Sequence, residues 1–183
     1  TFKIRNNAKF HNGRDVTAQD VVFSWERAAS PELASDTVLT YLSDIVGVRE
    51  KALGQADSIS GLKVIDDKTL QVTIDAPKPY FLMKLTFPTS YIVDQDNVSA
   101  GEEWVRQPNG TGPYKLKEWR SNEYIVYEAN PDFYLGAPSI PYVVFKLYAG
   151  DDVRLFETGD VDIAGVGLYD VERMLNPNEP LNR

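Results

Sequence analysis

His11 is the single histidine of the chain, and the sequence contains no cysteine. General bases, nucleophile partners and most transition-metal sites use these two residue types. A serine nucleophile would have to take His11 as its base, and no Gly-x-Ser-x-Gly elbow accompanies it. We therefore predict a chain with no catalytic residue, no metal site and no cofactor. His11 follows the apolar Phe10 beside a turn, and we interpret it as a structural or surface histidine.

Two short stretches resemble ligand loops but lack essential residues. Residues 94–97 begin like a calcium loop, yet Val98 stands where an oxygen ligand is needed and the required glycine is missing. We interpret this stretch as a solvated loop. Residues 110–113 resemble a phosphate loop, but Pro113 has no N–H and no lysine-serine or lysine-threonine pair follows. A turn or hinge is the better interpretation.

The composition excludes several classes of partner. The formal net charge is -8 and the pI is about 4.7, which argues against nucleic acid and disfavours anionic lipid surfaces. Hydrophobic residues make up 43% and charged residues 25%, as in an ordinary folded domain. Aromatic residues are the one enrichment, with 10 tyrosines, and some of these suit the wall of a solute pocket.

The elements that must position any site follow from local patterns. Thr17 predicts the start of a helix that carries Val21 and Trp25 on one face. A second helix is predicted over 38–53, and a hairpin turns at 66–68. The further predictions are a short helix at 80–85, strands at 91–93, 114–119, 124–129, 142–148 and 161–163, and helices at 151–158 (ended by Gly159) and 169–175.

These elements predict a mixed α/β (α+β) chain with mostly short strands, whose two parts meet near residue 95. Thr1–Arg5 already alternates like a strand, so the chain opens inside one. That feature suggests a piece of something larger.

An ordered set of short motifs is distributed along nearly the whole chain. They are FKIR (2–5), FHNG (10–13), VTAQDVVFSW (16–25), VIDDKTL (64–70), APKPYFL (76–82), NGTGPYKL (109–116), NPDFY (130–134) and GDVDI (159–163). In this order they resemble the bacterial extracellular solute-binding proteins of family 5, the binding components of ABC importers for oligopeptides, dipeptides and nickel. Each motif alone is weak, and the ordered set is specific.

The resemblance implies a periplasmic-binding-protein-like fold of type II, of which this chain is an internal fragment. Residues 1–93 would form the extra subdomain of lobe one, and residues 94–183 part of its main, sheet-containing subdomain. The implied function is the capture of a solute, most simply a peptide, by closure of two lobes, followed by delivery to an ABC permease in the membrane. The implied protein is a monomer that is periplasmic or extracellular, anchored as a lipoprotein in its full-length form, and not an enzyme.

The resemblance also implies two groups of solute-binding residues. One lies at the start of the predicted second helix. The other follows the strand predicted at 161–163, where ligands of open α/β sheets bind. The residues are Thr37, Val38, Tyr41, Ala164, Gly165 and Val166.

Two classes of protein remain as alternatives. One is the ligand-sensing domain of a transcription regulator, and the other is a small enzyme acting on peptides or sugars through His11. Within the favoured class, peptides, nickel chelates, opines and oligosaccharides all remain open as solutes.

Overall fold

The first helix, α1 (Ala18–Ala28), begins where the sequence predicts. The Asp20 N–H donates to Thr17 Oγ1, and the Thr17 N–H donates to the Asp20 carboxylate, which completes a capping box. Val21 and Trp25 on its apolar face are buried. The computed structural model describes residues 1–147 and 150–178 of the chain.

The predicted hairpin is confirmed and belongs to a three-stranded antiparallel sheet. Its strands are β1 (Phe2–Lys3), β2 (Leu62–Asp66) and β3 (Thr69–Val72), in the order β1-β3-β2. Val64 lies opposite Leu70, and the register shifts between Val64 and the end of β2. Helix α1 packs against β2.

The single helix predicted over 38–53 is wrong. The chain forms two short helices instead, α2 (Val38–Tyr41) and α3 (Val48–Ala52). Between them Ile45 makes an isolated antiparallel bridge with Ile74, just beyond β3.

Backbone interactions with the hairpin explain this break. The Val46 N–H donates to the Thr73 carbonyl at 3.0 Å, so this N–H is not available for a helical hydrogen bond. Gly47 follows with φ +92°, and a Cβ added there would lie 2.5 Å from the Ser60 backbone nitrogen. A left-handed glycine pressed against a neighbouring backbone cannot continue a helix, so tertiary contacts override the helical spacing.

The hydrophobic core of this region lies between α1, α2, α3 and the sheet. A smaller cluster forms around Phe10, beside the turn that precedes α1. The largest fully buried side chains are Phe10, Leu42, Ile45, Val48 and Leu70.

The chain then returns along α1. The strand predicted at 91–93 is wrong, because the Val93 N–H donates at 2.9 Å to the Ser24 hydroxyl on α1 rather than to a neighbouring strand. The short helix predicted at 80–85 is confirmed. The elements here are α4 (Phe81–Lys84), a 3-10 turn (Pro88–Ser90), α5 (Gln95–Val98) and a second 3-10 turn (Glu102–Arg106).

The remaining elements include a second three-stranded sheet in the order β4-β5-β6. The strands predicted from 114, 124 and 142 are thereby confirmed, although 148, the last residue of the third prediction, lies outside the described residues. The elements are β4 (Tyr114–Arg120), β5 (Tyr124–Ala129), β6 (Tyr142–Lys146), α6 (Asp152–Glu157) and α7 (Val171–Met174).

Gly159 ends α6 as predicted. It adopts φ +74°, and the following Asp160 N–H donates to the Leu155 carbonyl at 2.8 Å, as in a Schellman motif. The Val161 N–H turns back to the same carbonyl at 3.3 Å. The strand predicted at 161–163 is therefore wrong, since this segment closes the helix end instead.

The chain divides into two compact units. The first comprises Thr1–Leu116 and Tyr127–Tyr142, and the second comprises the described parts of Lys117–Val126 and Val143–Arg183. Asp94 and the segment after it thus belong to the same unit as α1. The assignment of 1–93 and 94–183 to two subdomains of a larger lobe stays a prediction.

Candidate functional site

Three of the predicted solute-binding residues, Thr37, Val38 and Tyr41, lie together at the start of and within α2. The Tyr41 ring stacks flat on Phe87, with centroids 3.7 Å apart and an interplanar angle of 3°. The hydroxyls of Thr37 and Thr89 are hydrogen-bonded at 2.5 Å. We call Thr37, Tyr41, Phe87 and Thr89 the Tyr41–Phe87 wall.

Burial separates the predicted residues into two roles. All four residues of the wall are half-buried, so each keeps part of its side chain open to solvent. Val38 is buried in the hydrophobic core behind them. The wall therefore offers two aromatic rings beside two hydroxyls, a combination that suits a partly apolar ligand with polar groups of its own.

Helix α1 holds the wall from the inside. The indole N–H of Trp25 donates to the Ser90 carbonyl at 3.0 Å, and both residues are buried. This bond fixes the 3-10 turn that carries Thr89. Sequence reasoning missed Phe87 and Thr89, because their pairing with α2 crosses some 50 residues of chain and leaves no local pattern.

The second predicted group, Ala164, Gly165 and Val166, belongs to the second unit. Ala164 is half-buried, whereas Gly165 and Val166 are exposed. A Cβ added at Gly165 would lie 3.5 Å from Asp152 Oδ2, so this loop passes the first turn of α6. The strand that was to present these residues is not formed, and their role in solute binding stays a prediction.

His11 has a structural role, because its side chain binds the backbone of the turn at Gly112. Its Nε2 lies 3.1 Å from the Gly112 carbonyl oxygen, and because a carbonyl can only accept, Nε2 carries the hydrogen. Nδ1 is buried, and no described residue donates a hydrogen bond to it. Burial lowers the pKa of His11, the bond to Gly112 opposes this, and the nearby Lys115 lowers the pKa further. Nδ1 is the nitrogen that would have to accept a proton in catalysis. Because it is buried, a substrate cannot reach it, and this argues against the enzyme alternative.

Asp94 is not part of a solvated loop, and that interpretation is wrong. Its carboxylate is 3% exposed and receives Arg14 Nη2 at 2.7 Å. The same guanidinium binds Asp20 through two hydrogen bonds of 2.8 and 3.1 Å. Burial raises the pKa of Asp20, but hydrogen bonds from Arg14 and Thr17 outweigh it and hold that pKa below its usual value. Arg14 therefore joins two buried carboxylates in a structural ion cluster.

The segment 109–113 is a turn that is fixed by hydrogen bonds with other parts of the chain. The Asn109 side chain donates to Asp94 at 2.5 Å and accepts from the Asn12 N–H at 3.0 Å. The Gly112 carbonyl accepts hydrogen bonds from His11 and from the Asn130 side chain. This loop is fixed by side chains of the same unit, as expected for a turn.

No group of three or more histidine, cysteine, aspartate or glutamate side chains that could hold a metal ion occurs among residues 1–147 and 150–178. In the same residues, no helix has both the length and the apolar character needed to cross a bilayer.

Comparison with known proteins agrees with the sequence motifs. The profile of "Bacterial extracellular solute-binding proteins, family 5 Middle" matches residues 1–180. The chain belongs to this family. It is 37% identical to the periplasmic oligopeptide-binding protein OppA of Escherichia coli over 172 residues, which are 89% of this chain and 32% of OppA. It is 32% identical to the dipeptide-binding protein DppE of Bacillus subtilis over 177 residues, again 32% of that protein. The chain thus spans about a third of the length of these relatives.

Solved structures of family members share the fold. The complex of Haemophilus influenzae OppA with the peptide RPPGFSPFR superposes with a TM-score of 0.84 at 29% identity, covering 94% of this chain and 36% of that one. The murein tripeptide binding protein MppA of Escherichia coli gives 0.80 at 29% identity, covering 87% and 33%. The predicted type II binding-protein fold is confirmed, as is the membership of a family of extracellular solute-binding proteins.

Proposed function

We propose that this chain forms part of one lobe of a receptor that captures peptides for an ABC importer. The match of residues 1–180 to the family carries the proposal, together with relatives whose names describe oligopeptide and dipeptide binding. Capture proceeds by closure of this lobe and a second one on the solute, which buries the peptide between them. The closed receptor then delivers the peptide to a membrane permease, and the full-length protein is monomeric, periplasmic or extracellular, and held at the membrane by a lipid anchor.

Within this lobe, the Tyr41–Phe87 wall contacts the peptide. Its stacked rings present an apolar surface to a peptide side chain, while the hydroxyls of Thr37 and Thr89 exchange hydrogen bonds with peptide amides. Val38 supports this surface from the core. A solute-binding role for the loop Ala164–Val166, which belongs to the second unit, is a separate proposal.

Two proteins test the proposal by calorimetry with the peptide RPPGFSPFR. The first is the 183-residue chain, and the second is a chimera in which residues 1–178 replace the matched third of Escherichia coli OppA. We expect the chimera to bind at micromolar concentration, and the chain alone to bind more weakly than about 1 mM because one side of the site is absent. Micromolar binding by the chain alone would contradict the two-lobe mechanism. A folded chimera without peptide affinity would contradict peptide capture.

The wall itself is tested in the chimera by Tyr41→Ala. We expect peptide binding to weaken by about tenfold or more, because the variant removes both a contact and the support of Phe87. Tyr169→Ala is the matched control, since it removes a fully exposed tyrosine from the second unit. Equal affinities of the two variants would remove the wall from the site.

A further inference from the structure

Asp44 is a buried carboxylate, 4% exposed, that holds two lysines. Lys78 Nζ lies 2.7 Å from Asp44 Oδ1, and Lys84 Nζ lies 2.8 Å from Asp44 Oδ2. Lys78 also pairs with the exposed carboxylate of Asp75 at 2.8 Å. Burial raises the pKa of Asp44, but the hydrogen bond from Lys78 and the ion pair with Lys84 lower it by more, so the carboxylate stays charged. Each carboxylate oxygen of Asp44 thus has its own cation.

The two lysines frame helix α4. Lys78 comes three residues before Phe81, whose N–H donates to the Lys78 carbonyl at 3.1 Å, and Lys84 is the last residue of the helix. Asp44 lies just after α2, which carries one half of the Tyr41–Phe87 wall. The other half begins three residues after Lys84. The ion cluster therefore ties together the two segments of chain that form the wall.

Helix α4 is short, and one of its side chains, Phe81, anchors it in the hydrophobic core. It spans four residues, too few for a helix to be stable by itself. Only Phe81 within it is buried, while Leu82 and Met83 are 63% and 72% exposed. A buried ion pair contributes little net stability, but it restricts the arrangement of the segments that it joins. The ion cluster thus adds to the anchorage that buried Phe81 gives α4 in the core, and it restricts the place of α4 relative to α2.

We infer that Asp44, through Lys78 and Lys84, is a positioning residue of the Tyr41–Phe87 wall and thereby contributes to the solute affinity of the receptor. The inference rests on the proposed function for its consequence in binding. The positioning itself is independent of that function, because it concerns two rings in the free chain. Asp44 touches no solute, since its carboxylate is enclosed by the two lysines.

The test measures the stack directly. Stacked rings shift each other's proton resonances upfield, so the aromatic NMR signals of Tyr41 and Phe87 in the 183-residue chain report the wall. We expect Asp44→Asn to lose this upfield displacement. Asp75→Asn is the matched control, because it removes the exposed partner of Lys78 and leaves Asp44 intact. Asp75→Asn should keep the displacement.

A second control separates positioning from general stability. Val48→Ala removes a fully buried side chain from the same core and should lower the urea midpoint without moving the ring signals. If Asp44→Asn does not fold, Lys84→Gln removes one arm of the cluster and Lys84→Arg keeps the charge. Loss of the displacement in Lys84→Gln with recovery in Lys84→Arg supports the inference. Unchanged ring signals in Asp44→Asn or Lys84→Gln, or equal changes in Val48→Ala, would overturn it.

In the OppA chimera, Asp44→Asn should weaken binding of RPPGFSPFR by roughly two- to thirtyfold relative to Asp75→Asn. Equal affinities together with altered ring signals would refute the link to solute affinity. A failure of the unsubstituted chimera to bind would count against the proposed function, while the NMR comparison would still decide the positioning role of Asp44.

Discussion

Replacing Arg14 by methionine should destabilise the first unit strongly, because it leaves two buried carboxylates without their shared cation. The side chains of Asp20 and Asp94 are 8% and 3% exposed, and both lose Arg14 hydrogen bonds of 3.1 Å or less. Removing one partner of a buried pair costs about 3–5 kcal/mol. The Arg14 side chain is itself 37% exposed, and water screens part of the interaction. We therefore expect a loss of roughly 2–4 kcal/mol in the free energy of unfolding.

Urea unfolding followed by tryptophan fluorescence, to which the buried Trp25 contributes, measures this loss. Lys9→Met is the matched control, since Lys9 pairs with Asp15 on the same turn but both side chains are about half exposed, at 44% and 54%. Exposed pairs contribute about 0–1 kcal/mol, so the control should be almost as stable as the parent. Equal losses in the two variants would refute the argument that burial decides the cost.

The pH dependence supplies an internal check on the same variant. Because the pKa of Asp20 is lowered on folding, its contribution is present above the ordinary carboxyl pKa of about 4 and is lost as the pH falls through the folded value. The difference in stability between the parent chain and Arg14→Met should therefore shrink below about pH 4. A difference that stays constant down to pH 3 would show that charge is not its cause.

Three further predictions concern the turn and cap residues. Burial lowers the pKa of His11, so the unfolded chain binds a proton at a higher pH than the folded chain does. The free energy of unfolding should therefore fall as the pH is lowered from 7 to 5. In urea titrations, His11→Gln should remove this pH dependence. Thr17→Ala should cost about 1 kcal/mol in the same assay while Thr17→Ser costs little, because only the first loses the cap. Gly47→Ala should cost more than Gly13→Ala, since both have φ near +90° but only at Gly47 would the new Cβ meet backbone; equal thermal midpoints would contradict this.

The parts of the fold that the sequence predicts well are those encoded within a few residues. The helix start at Thr17 and the helix end at Gly159 both form as predicted, because the capping groups at each end are at most five residues apart. The hairpin of β2 and β3 is another such case. Local patterns of this kind predict the folded structure correctly unless a stronger tertiary contact competes with them.

Two of the failed predictions, the helix over 38–53 and the strand at 91–93, have such a competing tertiary contact. Val46 donates to Thr73 instead of continuing a helix, and Val93 donates to the Ser24 hydroxyl instead of entering a sheet. Phe87 went unnoticed for the same reason, since its partner Tyr41 lies far away in the sequence. Each of these outcomes depends on which distant segments meet, and no periodicity within one segment contains that information.

Three of the motifs that reveal the family contact one another, and these contacts carry no information about the solute. The motifs around His11, Gly112 and Asn130 meet at one turn, where they bind each other's backbone. These hydrogen bonds join groups of the chain itself and involve no ligand. The Tyr41–Phe87 wall, in contrast, lies outside all of the recognised motifs. The solute contact that we propose therefore has to be tested at the wall itself.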